Sequence, residues 1–174
     1  MKTKEMTVET LFGVETITVK CKPLRFRQIK VVMEVLEVRE EVAAYFPADR
    51  RYTAPTQVAE IFNFLVNQTK EHFYAVHLDT KNRIVCIDPV SVGSQNQSIV
   101  HPREVFKSVL VSSASALLLV HNHPSGDPSP SSEDIAITRR LKEAGEILGI
   151  NVLDHIVIGS DAGGFVSFVE RGLL

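Results

Sequence analysis

Ala116-Leu117-Leu118-Leu119-Val120-His121-Asn122-His123-Pro124 is the stretch on which the reading of this chain turns. Its first five residues are apolar without a polar alternate, as in a central strand covered on both faces. Side chains alternate along a strand, so His121 and His123 fall on one face at its end. Pro124 opens a loop, Pro124-Ser125-Gly126-Asp127-Pro128-Ser129-Pro130, and a helical pattern follows. From Asp134 onward Ile137, Leu141, Ala144 and Leu148 keep helical register, and Gly149 is well placed to end the helix. Ser131 and Asp134, three residues apart, share a face in its first turn.

Two neutral imidazoles and one carboxylate form the ligand set of a catalytic zinc ion, which takes three protein ligands and keeps one position for water. His121, His123 and Asp134 are the candidate ligands, and the pattern points to a metal-dependent hydrolase. Such an enzyme also needs a base to deprotonate the water and a donor for the oxyanion. Ser131, one turn before Asp134, suits the oxyanion role. The base must come from elsewhere, because no carboxylate stands beside the histidines as in an H-E-x-x-H helix. Glu71 is the best candidate if the strand after it neighbours the one ending at His121; Asp88 and Glu104 compete with it.

Outward from this centre, strands and helices mix. Phe73–Leu78 and Arg83–Ile87 read as a hairpin across Asp79-Thr80-Lys81-Asn82, and a polar stretch follows around Gly93–Ser98. Pro102 starts a helix with Val105, Phe106, Val109 and Leu110 on one face. Val152–Ile158 and Phe165–Val169 are two last strands joined across Gly163-Gly164. A further helix runs from Pro55 through Val58, Ile61, Phe62 and Leu65. Ahead of it, residues 1–50 look like an extension. In it Val8–Phe12 and Glu15–Lys20 pair across Gly13, apolar residues recur at helical spacing from Phe26 to Ala44, and a polar break follows at 46–51. The fold class is therefore α/β: a mixed β-sheet layered with helices over 51–174, preceded by a strand-helix extension.

Several residues have plainer readings. Ser-x-x-Asp at 131–134 is also a helix capping box, although Pro130 favours Ser129 as the cap, which would free Ser131 and Asp134 for a site. Asp127 suits an Asx turn. His155 reads as a satisfied core histidine, with a supporting role behind a metal ligand as the alternative. His72, His77 and His101 read as structural or solvated. The basic run Lys22–Lys30 contains Phe26 and is of a kind that grips phosphates, but acidic residues follow at Glu34, Glu37, Glu40 and Glu41.

The separated motifs also occur together in a known family. His121-x-His123, seven residues to Ser131 and two more to Asp134 resembles the JAMM motif of MPN-domain metalloproteases. Glu71-His72-Phe73, Val100-His101-Pro102-Arg103-Glu104, His121-Asn122-His123-Pro124-Ser125-Gly126-Asp127-Pro128 and Leu153-Asp154-His155-Ile156-Val157-Ile158-Gly159 resemble its RadC-like branch. The resemblance runs from about Pro55 to the C-terminus. It implies the MPN (JAB) fold, similar to cytidine deaminases, with zinc on His121, His123 and Asp134. It further implies Glu71 as general base, Ser131 as oxyanion donor, and cleavage of a peptide or isopeptide bond in a peptide or protein conjugate. A nucleic-acid-associated module and a non-catalytic MPN interaction scaffold are the rival expectations.

Composition sets the outer bounds. With 174 residues, 44% of them hydrophobic, the chain has enough apolar side chain for a core, and its formal net charge of −2 gives no global pull toward nucleic acid or acidic lipid. No apolar run reaches a membrane span, the N-terminus carries no apolar signal-like region, and Cys21 and Cys86 stand apart. The expected setting is cytoplasmic.

Overall fold

The run from Ala116 to Asn122 is a strand buried along its whole length. The computed structural model describes residues 3–10, 13–20, 51–93, 100–160 and 164–174. The chain divides into two units, Met1–Glu34 and Val35–Leu174. In the first, β1 (Thr3–Thr10) and β2 (Gly13–Lys20) pair antiparallel with Val8 opposite Glu15 and Thr10 opposite Gly13. The hairpin expected at 8–20 is thus present, with β1 starting earlier, and Gly13 enters β2 at a φ of 125° that side chains disfavour. The helix expected at 26–44, the break at 46–50 and the basic run Lys22–Lys30 lie outside the described residues.

In the second unit the described elements are α1 (Pro55–Ile61), a 3₁₀ turn (Asn63–Asn67), β3 (His72–Leu78), β4 (Ile84–Val92), α2 (Pro102–Val111), β5 (Ala116–Asn122), α3 (Ser132–Leu148), β6 (Asn151–Ile158) and β7 (Phe165–Ser167). The strands form one mixed sheet in the order β4-β3-β5-β6-β7. β5 runs antiparallel to β3 and parallel to β6, the parallel step being made by the crossover through α3. Phe73, Leu117 and Leu119 face Val105, Phe106 and Val109 of α2 and Leu141 of α3. Val76, Leu118 and Val120 face Val58 of α1 and Phe62 just after it. Each fully buried leucine of β5 contributes roughly 1.5–3 kcal/mol, which makes this strand the spine of the unit.

Several boundaries differ from the sequence reading. The helix from Pro55 ends at Ile61, because Phe62 leaves helical dihedrals (φ −94°, ψ 9°) and the Leu65 N–H bonds back three residues to the Phe62 carbonyl. Val58, Phe62 and Leu65 stay buried, since spacings of three and four both serve that face. Leu110, expected on the core face of α2, is 55% exposed, and Leu148 at the end of α3 is 43% exposed. β7 stops at Ser167, where the Asp154 carboxylate accepts from Ser167 Oγ (2.6 Å) and the Val169 N–H (3.1 Å) and turns the chain aside.

One irregularity matters for everything below. Leu117 pairs with Val152 but Leu118 pairs with Asp154, so Leu153 is an extra residue in β6. The shift changes which side chains face which layer. His155 turns toward Phe73 and α3, while Asp154 turns toward Tyr52 on the α1 face.

Candidate metal centre

The centre forms where β5 ends, beside the start of β3 and the first turn of α3. His121 is a residue of β5 and fully buried; His123 follows the strand and is held by its N–H, which donates to the Ile158 carbonyl at 2.9 Å. The loop after it is pinned to the end of β6, the Ser160 N–H donating to the Gly126 carbonyl at 2.9 Å. A Cβ at Gly159 would run into that Gly126 carbonyl and the Pro128 ring, so the close approach requires glycine there. Asp127 makes the expected Asx turn, its Oδ1 accepting from the Ser129 N–H at 2.9 Å.

Ser129 is therefore spent on the loop, and the N-cap of α3 is Ser131, with extended dihedrals (φ −78°, ψ 169°). This corrects the expectation that Pro130 would make Ser129 the cap. Ser131 Oγ accepts from the Asp134 N–H (3.1 Å) and donates to Asp134 Oδ2 (2.6 Å), while the Ser131 N–H donates to the same oxygen (2.7 Å). Capping and facing the site turn out to be compatible. The box uses Oδ2 from one side, and the carboxylate still reaches both histidines.

His121 Nε2 and His123 Nε2 lie 3.0 Å apart; Asp134 Oδ1 is 3.2 Å from the first and Oδ2 is 3.3 Å from the second. A tetrahedral zinc ion with ligand bonds of about 2.0–2.1 Å spaces its ligands by roughly 3.3–3.4 Å, and the two imidazole nitrogens and the carboxylate, which meets each of them through a different oxygen, gather closely enough to share one such ion. Among the described residues, these three are the group whose ligand atoms converge in this way. His123 Nδ1 sits 2.8 Å from the Asp127 carbonyl, an oxygen that only accepts, so Nδ1 carries a proton and Nε2 turns inward. Burial pushes the Asp134 carboxyl up, but hydrogen bonds from His121 and His123 outweigh it and hold it far below the usual carboxylate range. The hydrogen bond to Asp134 raises His123 against the opposing effect of burial.

Glu71 arrives through sheet register. Phe73 pairs with His121 at the end of the β3–β5 register, and Glu71 stands two residues before Phe73, at the end of β3 nearest the centre. Asn122 secures the step: its Oδ1 accepts from the His72 N–H (2.8 Å) and its Nδ2 donates to the Lys70 carbonyl (3.1 Å), bracketing Glu71. The Glu71 carbonyl in turn accepts from the Gly93 N–H at 2.9 Å. Burial raises the Glu71 carboxyl above its ordinary value, opposed by His121 and reinforced by Asp134, so the side chain feels the cluster directly. Its two competitors lie elsewhere. Asp88 pairs with Ala75 and acts on His77 and Lys107; Glu104 is on the surface, bonded to Lys107 at 2.9 Å.

The remaining histidines divide as expected. His72 stacks on Tyr74, His77 is buried with Nδ1 2.8 Å from Ser112 Oγ, and His101 is exposed at the start of α2. His155 is buried against the centre, its Nε2 2.7 Å from His121 Nδ1 and its Nδ1 2.6 Å from Thr138 Oγ1. Asn122 and Thr138 were not singled out by sequence reasoning. Thr138 stands four residues after Asp134, a spacing that puts it one helical turn deeper on the same face.

A mixed sheet with helices on both faces and a His-His-Asp cluster at a strand end defines an α/β domain with a candidate metal centre. Residues 52–173 match the RadC-like JAB domain, and the chain belongs to this family. It is 61% identical over 125 residues to a protein of Pelobacter propionicus, covering 71% of this chain and 54% of that one. It is 51% identical over 153 residues to a protein of Geotalea uraniireducens, covering 87% and 65%, a span that residues 51–174 alone cannot supply. With a protein of Desulforamulus reducens it shares 45% identity over 155 residues, covering 87% and 66%. All three bear the name UPF0758 protein, which assigns no activity. The chain spans about half to two thirds of the length of these relatives.

Proposed function

We propose that this domain is a zinc-dependent hydrolase of the JAMM type, a metalloprotease that cleaves a peptide or isopeptide bond in a peptide or protein conjugate. The observation that carries the reading is the convergence of His121 Nε2, His123 Nε2 and the Asp134 carboxylate, close enough together to hold one metal ion, with the Glu71 carboxyl within electrostatic reach of all three. Zinc held by these three residues would polarise the scissile carbonyl and lower the pKa of its water toward ~7. Glu71 takes a proton from the attacking water, the water oxygen bonds to the carbonyl carbon, and the C–N bond breaks as Glu71 delivers that proton to the leaving amine. Asn122 keeps the base at its station by fixing the backbone on either side of it. Ser131 turns its hydroxyl proton from Asp134 to the developing oxyanion, while its N–H continues to hold Oδ2.

The complete donor set favours turnover over a scaffold role. The helices packed on both sheet faces support the cytidine-deaminase-like reading of the fold. None of the helices among the described residues is long and apolar enough to cross a membrane, and the free Cys86 is in keeping with a reducing, cytoplasmic setting. The test is a Glu71→Gln variant, which keeps zinc but cannot accept the proton, used to capture conjugates from cells. Captured material that the wild-type protein cleaves at an amide bond, and the variant does not, supports the reading. Zinc-loaded wild-type protein that cleaves none of the captured conjugates contradicts it.

A further inference from the structure

Behind His121 lies a chain of polar atoms whose protons can be placed one by one. Thr138 Oγ1 touches the Asp134 backbone carbonyl, four residues earlier in α3, and His155 Nδ1 at 2.6 Å. A carbonyl oxygen has no proton to give, so the hydroxyl proton of Thr138 must point at it. With the opposite orientation, two oxygens would face each other at hydrogen-bond distance with nothing between them. Thr138 is thereby left as an acceptor, and His155 Nδ1 must be the N–H that donates to it. His155 is fully buried between the rings of Phe168 (4.7 Å) and Phe73 (5.5 Å), which fix the plane of its imidazole. Its Nε2 lies 2.7 Å from His121 Nδ1, and a His121 that gives Nε2 to a metal carries its proton on Nδ1, so His155 Nε2 accepts from it. The last nitrogen, His121 Nε2, faces Asp134 Oδ1 and His123 Nε2, where a metal held by the three residues would sit.

We infer that Thr138 and His155 are positioning residues for the metal centre: their hydrogen-bonded relay, anchored on the Asp134 carbonyl, holds the His121 imidazole in the tautomer that offers Nε2 to the metal. The relay rests on the metallohydrolase reading and adds to it a cause for the ligand's orientation. It also ties two ligands together, since the helix turn that carries the Asp134 carboxylate supplies the carbonyl on which the relay ends. Thr138, His155 and His121 are all buried, which leaves water no ready access to replace a missing hydroxyl. His123 is served differently, by the single loop carbonyl of Asp127.

The test uses the zinc-loaded full chain. Thr138→Val keeps the shape and removes the hydroxyl, and zinc affinity measured by chelator competition should fall roughly 10–100-fold, while Thr138→Ser should stay close to wild type. In the zinc-loaded wild-type protein, ¹⁵N spectra of the histidine rings should show His155 protonated at Nδ1 and bare at Nε2. A role in packing alone would move neither readout. A Thr138→Val protein that binds zinc as tightly as wild type, or a wild-type His155 protonated at Nε2, overturns the relay and leaves the metallohydrolase reading standing. Failure of the wild-type chain to take up zinc overturns both. If Thr138→Val does not fold, the ring-nitrogen spectrum of the wild type decides.

Discussion

Asp134 and Asp154 are the two buried aspartates among the described residues, and they are buried for different reasons. Asp154 is surrounded by groups that bring their own protons: Ser167 Oγ (2.6 Å), the N–H groups of His155 (2.7 Å) and Val169 (3.1 Å), and the Tyr52 hydroxyl at a long 3.4 Å. Burial and the neighbouring Asp154 carboxylate hold the Tyr52 phenol above its ordinary range, so it remains a donor. Asp154 is a closed knot that ties the C-terminal turn to β6. Asp134 accepts from Ser131 on one oxygen, but its carboxylate also faces the Nε2 atoms of His121 and His123, the nitrogens that a metal ion would take. Burial of a carboxylate therefore marks neither a site nor a strut. What distinguishes them is whether the surrounding donors complete the set or leave it open to a cation.

The sharpest way to break this contrast is to exchange the fates of the two residues. Asp134→Ala, like His123→Ala, should abolish zinc binding at micromolar protein while leaving a folded chain, because the core between sheet and helices does not depend on the ion. Elemental analysis showing about one zinc per chain in either variant would remove that residue from the ligand set. Next in size is turnover: with a substrate in hand, Glu71→Gln should lose about 10²–10⁴-fold in rate at full zinc occupancy. A variant that retains most of its rate would send the search for a base elsewhere. Ser131→Ala should lose about 10²–10³-fold in rate. Because Ser131 is also the N-cap, it should cost about 1 kcal/mol of stability as well. Stability loss alone, with the rate intact, would assign Ser131 to the helix start only.

How much of this could be read in advance follows from the range of each interaction. β5, α3 and the ligand spacing are local patterns: an apolar run, a helical period, and histidines that strand alternation must place together. Glu71 lies fifty positions before His121, and only the pairing of Phe73 with His121 brings it near, so the residues alone left Asp88 and Glu104 in contention. His155 was legible as buried, with attachment to the centre only the alternative, because the extra Leu153 that turns it there leaves no mark on the apolar pattern. The cap was misplaced for a related reason. Pro130 is as compatible with the position before the cap as with the first helical one, and the Asx turn of Asp127 selects the former by engaging Ser129.

Smaller effects sharpen the contrast. Asp154→Asn places an amide where Asp154 now meets only donors, and should cost about 1–3 kcal/mol in urea unfolding with zinc uptake unchanged. Loss of zinc without loss of stability would reverse the two roles. The smallest effect concerns Glu71 in metal-free protein. Its carboxyl is raised on folding, so it favours the folded state below its unfolded pKa and loses that contribution as pH rises through the folded value. Glu71→Gln should therefore melt slightly higher than wild type at pH 7, and the difference should disappear once the pH falls below the ordinary glutamate range. A variant that melts lower at pH 7 would mean that the Glu71 charge is stabilised on folding.

The most direct measurement is anomalous diffraction at the zinc edge from crystals of the zinc-loaded chain. The donor geometry predicts a single peak about 2.0–2.2 Å from His121 Nε2, His123 Nε2 and an Asp134 oxygen, with the Glu71 carboxylate no further than one bridging water away. No peak at this position, or one bound through other ring nitrogens or other residues, would contradict the metal centre and the hydrolase built on it.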